Sequence, residues 1–293
     1  MKKFKLQNQL LAAALSGAVT LAATSHAVAA PVVTIDPTVI PSTSIFSGLM
    51  APFNADFVQG NTSELIQATS LTTVVGAGWA NFSGYSLGGP TVSSIITGLG
   101  GVDYNLYLTF NLANTLTSGT MFGVNSLYNL TTLDFTVYAD PHLDTTFINA
   151  NANTVTPATV GGTTADDIVL ATGSLLTGTA GFDALGGAFV NAIDSFAVCT
   201  GAGTADIGGV AVADPACAGN LGSKYFSAPV PFYEIAFSEF NNTTQGILQN
   251  GNFVSITNAS GGVDFNRVPE PTTLSLLGLG MLALGAMGRR RKA

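Results

Sequence analysis

The stretch VDYNLYLTFNL, residues 102–112, alternates apolar and polar side chains over its whole length. One face carries Val102, Tyr104, Leu106, Leu108, Phe110 and Leu112. The opposite face carries Asp103, Asn105, Tyr107, Thr109 and Asn111. Because successive side chains of a strand point to opposite sides, this period of two residues predicts a β-strand with one buried and one solvated face.

The same alternation recurs at residues 133–138 and 233–238, which are two further predicted strands. Shorter apolar runs beside turn-forming glycines predict strands at residues 72–76, 167–172, 253–257 and 262–266. The stretch 182–198 stays open between helix and strand, because its large apolar side chains have helical spacing but Gly186 and Gly187 would weaken a helix there.

The composition favours an all-β fold. Apolar residues make up 47% of the 293 residues and charged residues only 9%, so the chain is too apolar for a disordered protein and too poor in Glu, Lys and Arg for a helical one. Short glycine-rich connections separate the predicted strands, whereas a parallel sheet would need connections of a dozen or more residues. We therefore predict an antiparallel, β-sandwich-like domain.

Residues 1–29 have the parts of a secretory signal peptide. A basic segment opens the chain, and a mainly apolar run follows at residues 10–23. The basic residues are Lys2, Lys3 and Lys5. Ala27 and Ala29 fit the small-residue pattern of a cleavage site and place the mature start at about residue 30, with a cut at Ala27 as the alternative.

Residues 268–293 form a second predicted signal, which begins with Pro269, Glu270 and Pro271. The prolines cannot continue a helix, so the motif is open to a processing enzyme that binds extended chain. The almost wholly apolar stretch 272–288 follows. At about 1.5 Å per residue, this stretch is just long enough for a single transmembrane helix.

A basic cluster ends the chain. Its members are Arg289, Arg290, Arg291 and Lys292. By the positive-inside rule this cluster stays in the cytoplasm, which leaves the β-rich domain of residues 30–267 outside the inner membrane. The order of the three parts is that of a sorting signal.

The region between the two ends is strongly acidic. Residues 30–270 hold all seventeen Asp and Glu but only Lys224 and Arg267 among the basic residues, a formal charge of about −15. Nucleic acids and anionic membrane surfaces are both held mainly by Lys and Arg, so this charge disfavours both as partners and favours divalent cations.

Two cysteines, Cys199 and Cys217, lie in the exported region. An even number of cysteines in an oxidising compartment predicts a disulfide, and the glycines between these two allow the loop to close. A metal site is less favoured, since the sequence has no Cys-x-x-Cys motif and no histidine near them.

Metal-ligand side chains gather at Asp140, Asp144, Asp166 and Asp167. Their oxygens suit calcium, but calcium needs six to eight ligands and the EF-hand pattern is missing. The alternative is a polar turn after a strand that ends near residue 139. We therefore predict no cofactor, with calcium at these four aspartates as the open possibility.

Residues for catalysis are scarce. His142 is the only histidine after the signal peptide, and no nucleophile motif accompanies it, so we predict no catalytic residues and no enzyme. Paired carboxylates for glycoside hydrolysis stay open. Trp79, Phe82 and Tyr85 have rings that could stack on sugars, although packing in a core is the commoner role of such residues.

The C-terminal residues resemble the PEP-CTERM sorting signal, the substrate of exosortases, which are membrane transpeptidase-like enzymes with a catalytic cysteine. The resemblance covers the Pro269-Glu270-Pro271 motif, the apolar stretch and the basic cluster. It implies a Gram-negative host, processing by an exosortase, a transient anchor in the inner membrane, and transfer to the cell surface or an exopolysaccharide matrix.

Other segments resemble the flocculation-associated PEP-CTERM proteins. They are residues 1–7, 35–37, 166–171, 224–226, 231–233 and 262–265. This family is implicated in cell aggregation with exopolysaccharide and has no catalytic residues attributed to it, and the loop between the cysteines departs from its pattern. The resemblance implies a surface or matrix protein that promotes floc or biofilm formation. The alternative is an exported carbohydrate-binding module or hydrolase.

Overall fold

The computed structural model describes residues 32–207, 209–219, 221–228, 234–241 and 246–265. The predicted signal peptide, residues 1–29, and the predicted sorting signal, residues 268–293, lie outside these residues.

The described residues form strands joined by turns and a few short helices. The strands are β1 (Val33–Ile35), β2 (Phe53–Ala55), β3 (Phe57–Ala68), β4 (Thr73–Ser86), β5 (Asn105–Ser118), β6 (Leu127–Asp140), β7 (Thr145–Ile148), β8 (Thr159–Gly162), β9 (Ile168–Phe182), β10 (Ala188–Cys199), β11 (Ala202–Ile207), β12 (Val210–Ala218), β13 (Phe226–Ala228), β14 (Glu234–Asn241), β15 (Ile247–Asn250) and β16 (Phe253–Asp264). The helices are two 3₁₀ turns, Pro37–Val39 and Ser47–Leu49, and two α-helical turns, α1 (Ser94–Thr97) and α2 (Gly222–Tyr225). The all-β prediction is confirmed.

Antiparallel pairing joins most strands into one sheet that closes on itself. Neighbouring strands run in the order β10, β14, β16, β3, β4, β5, β6 and β9. The last of these, β9, pairs again with β10, from Phe182 opposite Ala188 to Ala171 opposite Val198. These strands form a closed sheet with an inner face, which holds the core, and an outer face.

The apolar face of β5 points inside the closed sheet, as its alternation predicts. Its four buried side chains pack with the buried side chains of the neighbouring β6. They are Leu106, Leu108, Phe110 and Leu112 from β5, with Leu133, Phe135 and Val137 from β6. The strand begins at Asn105, three residues after the predicted start, because the chain still turns at Asp103, whose backbone N–H donates to the carbonyl oxygen of Gly98 at 2.9 Å.

Two other parts of the sequence fold differently from the simplest reading. Residues 253–257 and 262–266 were expected as separate strands, but residues up to Asp264 belong to the single strand β16, which bulges at Asn258 (φ 57°) and continues. The open stretch 182–198 contains the turn after β9 and most of β10, and no helix.

The closed sheet has two ends, and we call one of them the tail end. Here β16 ends at Asp264, and the backbone N–H of Phe265 donates to the carbonyl oxygen of Asp56 at 3.1 Å. The small sheet of β13, β1 and β2 lies at this end, as does the connection 87–104 between β4 and β5. The opposite, far end carries the short turns between β3 and β4, β5 and β6, and β9 and β10.

Three buried tyrosine hydroxyls fasten the tail end. The Oη atom of Tyr225 lies 2.8 Å from that of Tyr85 and 2.7 Å from that of Tyr104. Burial raises the pKa of each of these hydroxyls, so they stay neutral. A neutral hydroxyl can both donate and accept, which lets the three groups hydrogen-bond to one another. They link α2 to β4 and to the residue just before β5.

The predicted disulfide between Cys199 and Cys217 is present, with Cα atoms 5.0 Å apart. Both cysteines are buried and form a small second core with Ala197 and Ala205. The hairpin of β11 and β12, which we call the arm, pairs with β10 only at Val198 and Cys199. The disulfide is therefore a main attachment of the arm to the closed sheet.

No helix among the described residues is long and apolar enough to cross a membrane. The predicted transmembrane stretch, residues 272–288, lies outside the described ranges.

Asp194 is an acid inside the closed sheet. Its side chain is fully buried, and neither carboxylate oxygen has a hydrogen-bond partner among the described residues. Burial alone raises its pKa from 3.8 to about 7, because the charged form has lost its water.

We expect the Asp194→Asn variant to be less sensitive to pH than the parent protein. Since the folded state binds this proton more tightly than the unfolded state, Asp194 costs no stability below about pH 4, and its unfavourable contribution grows as the pH rises to about 7. Asparagine is neutral at every pH, so the free energy of unfolding of the variant should exceed that of the parent by about 3–4 kcal/mol at pH 8. This difference should shrink towards pH 4. Urea unfolding of the exported chain at pH 4, 6 and 8 measures this difference.

The exposed Asp134 supplies the control for this experiment. Asp134→Asn removes the same charge from the outer face and should leave the pH dependence of unfolding close to that of the parent. An advantage of Asp194→Asn that is the same at all three pH values would contradict the assignment.

Candidate functional site

Residues 141–167, between β6 and β9, fold back over the outer face of the closed sheet and form a flap that contains the β7–β8 hairpin. Hydrogen bonds hold this flap on β3, β4 and β16. They run from Trp79 Nε1 to the carbonyl oxygen of Ile148, from the Ala150 N–H to Ser63 Oγ and from the Ala152 N–H to Ser255 Oγ, each 3.0 Å long. The flap therefore covers part of a face that would otherwise contact water.

Aromatic rings fill the space under the flap. The ring of Phe147 lies 5.0 Å from that of Trp79 and 5.5 Å from that of Tyr107, which stacks on Tyr138 at 5.0 Å. Trp79 is only 6% exposed, so the aromatic residues of its segment are core residues and not a platform for sugar rings.

Asp140 closes the turn at the base of the flap. Its Oδ1 accepts hydrogen bonds from the N–H groups of His142 and Leu143, both 2.9 Å, and its Oδ2 accepts from the Thr145 N–H at 3.0 Å and Asn105 Nδ2 at 3.1 Å. Burial alone would raise the pKa of this carboxyl, but these hydrogen bonds together outweigh it and hold the pKa below the usual value. The carboxylate thus has a structural role.

Two more aspartates fasten the flap where it returns to the sheet. Asp166 pairs with His142 Nδ1 on the surface. Asp167 accepts a hydrogen bond from the hydroxyl of Tyr107 and lies 3.4 Å from Thr145 Oγ1. Burial raises the pKa of Asp167, and the negative charges of neighbouring acids raise it further.

These contacts bear on the calcium possibility. The structure brings Asp140, Asp166 and Asp167 to one edge, but each carboxylate is engaged by a protein donor, and Asp144 is exposed beside them. The described residues contain no group of three or more His, Cys, Asp or Glu side chains placed to hold a metal ion. The polar-turn alternative accounts for the geometry of this cluster.

Next to the flap, the outer face carries an open polar groove across β5, β6, β9 and β10. Two rows of side chains in register form its floor. The first row is Thr109, Thr136 and Thr172, and the second is Asn111, Asp134, Ser174 and Ser195. The two rows present hydroxyl, amide and carboxylate groups, and Phe135 and Gly173 lie between them.

The arm and the flap form the sides of the groove. Ile207 of the arm lines it, and Asp214 of the arm accepts a hydrogen bond from Thr172 Oγ1 at 3.1 Å. The flap lies on the other side. Tyr107 and Tyr138, which are two residues along their strands from Thr109 and Thr136, separate the groove from the flap, and Tyr107 contacts Phe147 there. The flap therefore borders the groove beside Tyr107 and Tyr138, and the arm borders it at β9.

The sequence predicts the exposure of the groove residues that lie on β5. Asn111 and Thr109 belong to the polar face of the stretch that predicts β5, so their exposure is expected. Their alignment with residues of β9 and β10 depends on pairings between distant segments, which no local pattern reveals.

The comparisons with known proteins concern the C-terminal end. The family model of the PEP-CTERM protein-sorting motif matches residues 267–292. No curated protein and no solved structure matches the chain.

An exported all-β domain followed by a membrane sorting motif defines a class of bacterial cell-surface proteins. The match shows that the chain carries a PEP-CTERM sorting motif, the signal of exported surface proteins of Gram-negative bacteria that an exosortase processes.

We expect Asp140→Ala to loosen the base of the flap. The substitution leaves the N–H groups of His142, Leu143 and Thr145 without their acceptor, which should cost about 2–3 kcal/mol of unfolding free energy. Amide hydrogen exchange of these three groups should become faster, while exchange in β5 stays slow.

Asp144→Ala is the matched control, since Asp144 lies in the same turn but is exposed. Equal effects of the two substitutions on stability and exchange would show that Asp140 does not anchor the turn.

Proposed function

We propose that this chain is a matrix protein that promotes aggregation of cells into flocs or biofilm together with exopolysaccharide, after an exosortase has removed its tail. The sorting motif at residues 267–292 is the observation that carries the proposal, because it directs the domain to the cell surface. We propose further that the stretch 272–288 anchors the chain in the inner membrane until it is processed.

The polar groove is our proposed contact with the polysaccharide. Sugar hydroxyls are both donors and acceptors, and the floor of the groove offers hydroxyl, amide and carboxylate partners at the regular spacing of adjacent strands, about 4.8 Å. Each contact would be weak, and many copies of the protein along one polysaccharide would add up to firm binding.

A binding role without catalysis is also part of the proposal. Both cysteines are in the disulfide, so neither is available as a nucleophile. His142 pairs with Asp166 at the base of the flap, outside the groove. These contacts support a structural role for the residue types from which a nucleophilic site is most often built.

The tail should be absent from the protein at the cell surface. If an exosortase cuts at or near Pro269-Glu270-Pro271, mass spectrometry of surface-extracted protein should find no peptide that contains residues 274–289. Cells that lack the exosortase should retain those peptides in the membrane fraction. Recovery of the intact tail from surface protein of normal cells would contradict processing.

Substitutions in the groove should weaken binding to the exopolysaccharide of the host. The triple variant Asn111→Ala, Asp134→Ala, Ser174→Ala removes three of the four polar side chains in one row of the floor. At about 1 kcal/mol for each hydrogen bond, we expect at least tenfold weaker binding. Co-sedimentation of the purified processed protein with isolated exopolysaccharide measures the change.

A row of polar side chains that lies outside the groove, on the same three strands, supplies the control. Thr115, Asn129 and Thr179 are also in register, on the outer face but outside the groove. Alanine at these three positions should leave binding unchanged. If both triple variants bind as the parent does, the groove is not the contact; if deletion of the gene leaves flocs normal while polysaccharide is still secreted, the matrix role fails.

A further inference from the structure

Five large apolar side chains lie exposed on two short neighbouring segments, residues 45–49 and 95–96. We call them the apolar patch. They are Ile45, Phe46 and Leu49, with exposed fractions of 89%, 41% and 57%, and Ile95 and Ile96, with 45% and 38%. Solvent-exposed side chains of this size in one area usually mark a contact surface.

The two segments are held against each other. The backbone N–H of Ala51 donates to the carbonyl oxygen of Ile96 at 3.3 Å. Gly98, at the end of α1, is so close to Met50 that a Cβ atom there would lie 2.5 Å from its Sδ. The patch is therefore a feature of a packed surface and not of two independent loops.

The patch lies at the tail end of the closed sheet. It belongs to residues 32–56, which lead into β3, and to the connection from β4 to β5, and Asp56 at this end binds the N–H of Phe265. Only residues 266–271 separate Phe265 from the apolar stretch 272–288. Fully extended, that linker reaches about 24 Å, so a chain anchored through its tail must hold this end close to the bilayer.

We propose that the apolar patch inserts into the outer surface of the inner membrane while the tail still anchors the chain. This inference rests on the anchoring step of the proposed function. The short linker brings the patch to the bilayer, and burial of exposed Ile, Leu and Phe side chains at the lipid interface is favourable. The occupant of the patch is thus a lipid surface of neutral or weak charge, which fits a domain whose only basic residue among those described is Lys224.

This contact would orient the domain before processing. With the tail end on the membrane, the linker that carries Pro269-Glu270-Pro271 lies at the bilayer surface, within reach of a membrane enzyme. The groove, on the side of the closed sheet, stays in water. Release of the tail removes the tether and leaves the patch with only its own weak affinity for lipid.

Fluorescence quenching in vesicles tests the insertion. The chain from residue 30 to 293 is reconstituted in phosphatidylcholine vesicles, which have no net charge and contain doxyl-labelled lipid. Since both native cysteines are in the disulfide, Ile45→Cys provides a single thiol for an environment-sensitive dye. Leu71→Cys is the matched control, because Leu71 is 91% exposed but lies in the β3–β4 turn at the far end.

We expect the dye at position 45 to be quenched at least threefold more than the dye at position 71. Adding Phe46→Ser and Leu49→Ser to Ile45→Cys should abolish most of this difference while flotation shows that the chain remains bound to the vesicles. Thermal unfolding verifies that the substituted domain is folded.

Each other outcome overturns the proposal in a distinguishable way. Equal quenching with and without the serine substitutions means that the tether alone brings position 45 near lipid. A dye shielded from water but not quenched, with a dimer in light scattering, means that a second copy covers the patch. A chain that does not float with the vesicles means that the anchoring step itself is wrong.

Discussion

The pairing of β9 with β10 is the constraint on which the rest of the structure depends. One side of β9 pairs with β6 and one side of β10 pairs with β14, so their mutual pairing joins the first half of the chain to the last. Without it, the sheet would have two long free edges and a core open to water on one side. Because the sheet is closed, its core is enclosed by strands. The flap, the arm and the small sheet at the tail end can therefore all pack against it from outside.

Period-two alternation reveals β5 and β6 because each has a clean division between an apolar inner face and a polar outer face. It fails at β10 for a physical reason. Phe189 and Ile193 are on the outer face, while the inner face places the acid Asp194 between the apolar side chains of Ala192 and Phe196. A strand with large apolar side chains outside and an acid inside shows neither the alternation of a half-buried strand nor the spacing of an amphipathic helix. Its structure follows from its pairing with β9 and β14.

The candidate sites show the same limit. Asp140 and Asp144 are close to His142 in sequence, so their proximity in space can be predicted. Asp166 and Asp167 reach them only because the flap returns to the sheet, and the role of Asp140 depends on hydrogen bonds to backbone groups that the sequence does not show. The groove is the opposite case: its floor joins β5 and β6 to β9 and β10, and it becomes visible only once the register of the closed sheet is known. The two terminal signals are read from composition and order alone, which is why the sorting motif needs no fold to be recognised.

The position of Phe265 has a consequence for the architecture of the cell surface. The chain leaves the domain at one pole, so a bond made to any new terminus just beyond that residue would attach every copy in the same orientation. The opposite pole, which carries the β3–β4, β5–β6 and β9–β10 connections and the β15 hairpin, would then point away from the cell. A layer of such domains would present one uniform outer surface to neighbouring cells and expose the sides of each domain, with their grooves, in the spaces between copies.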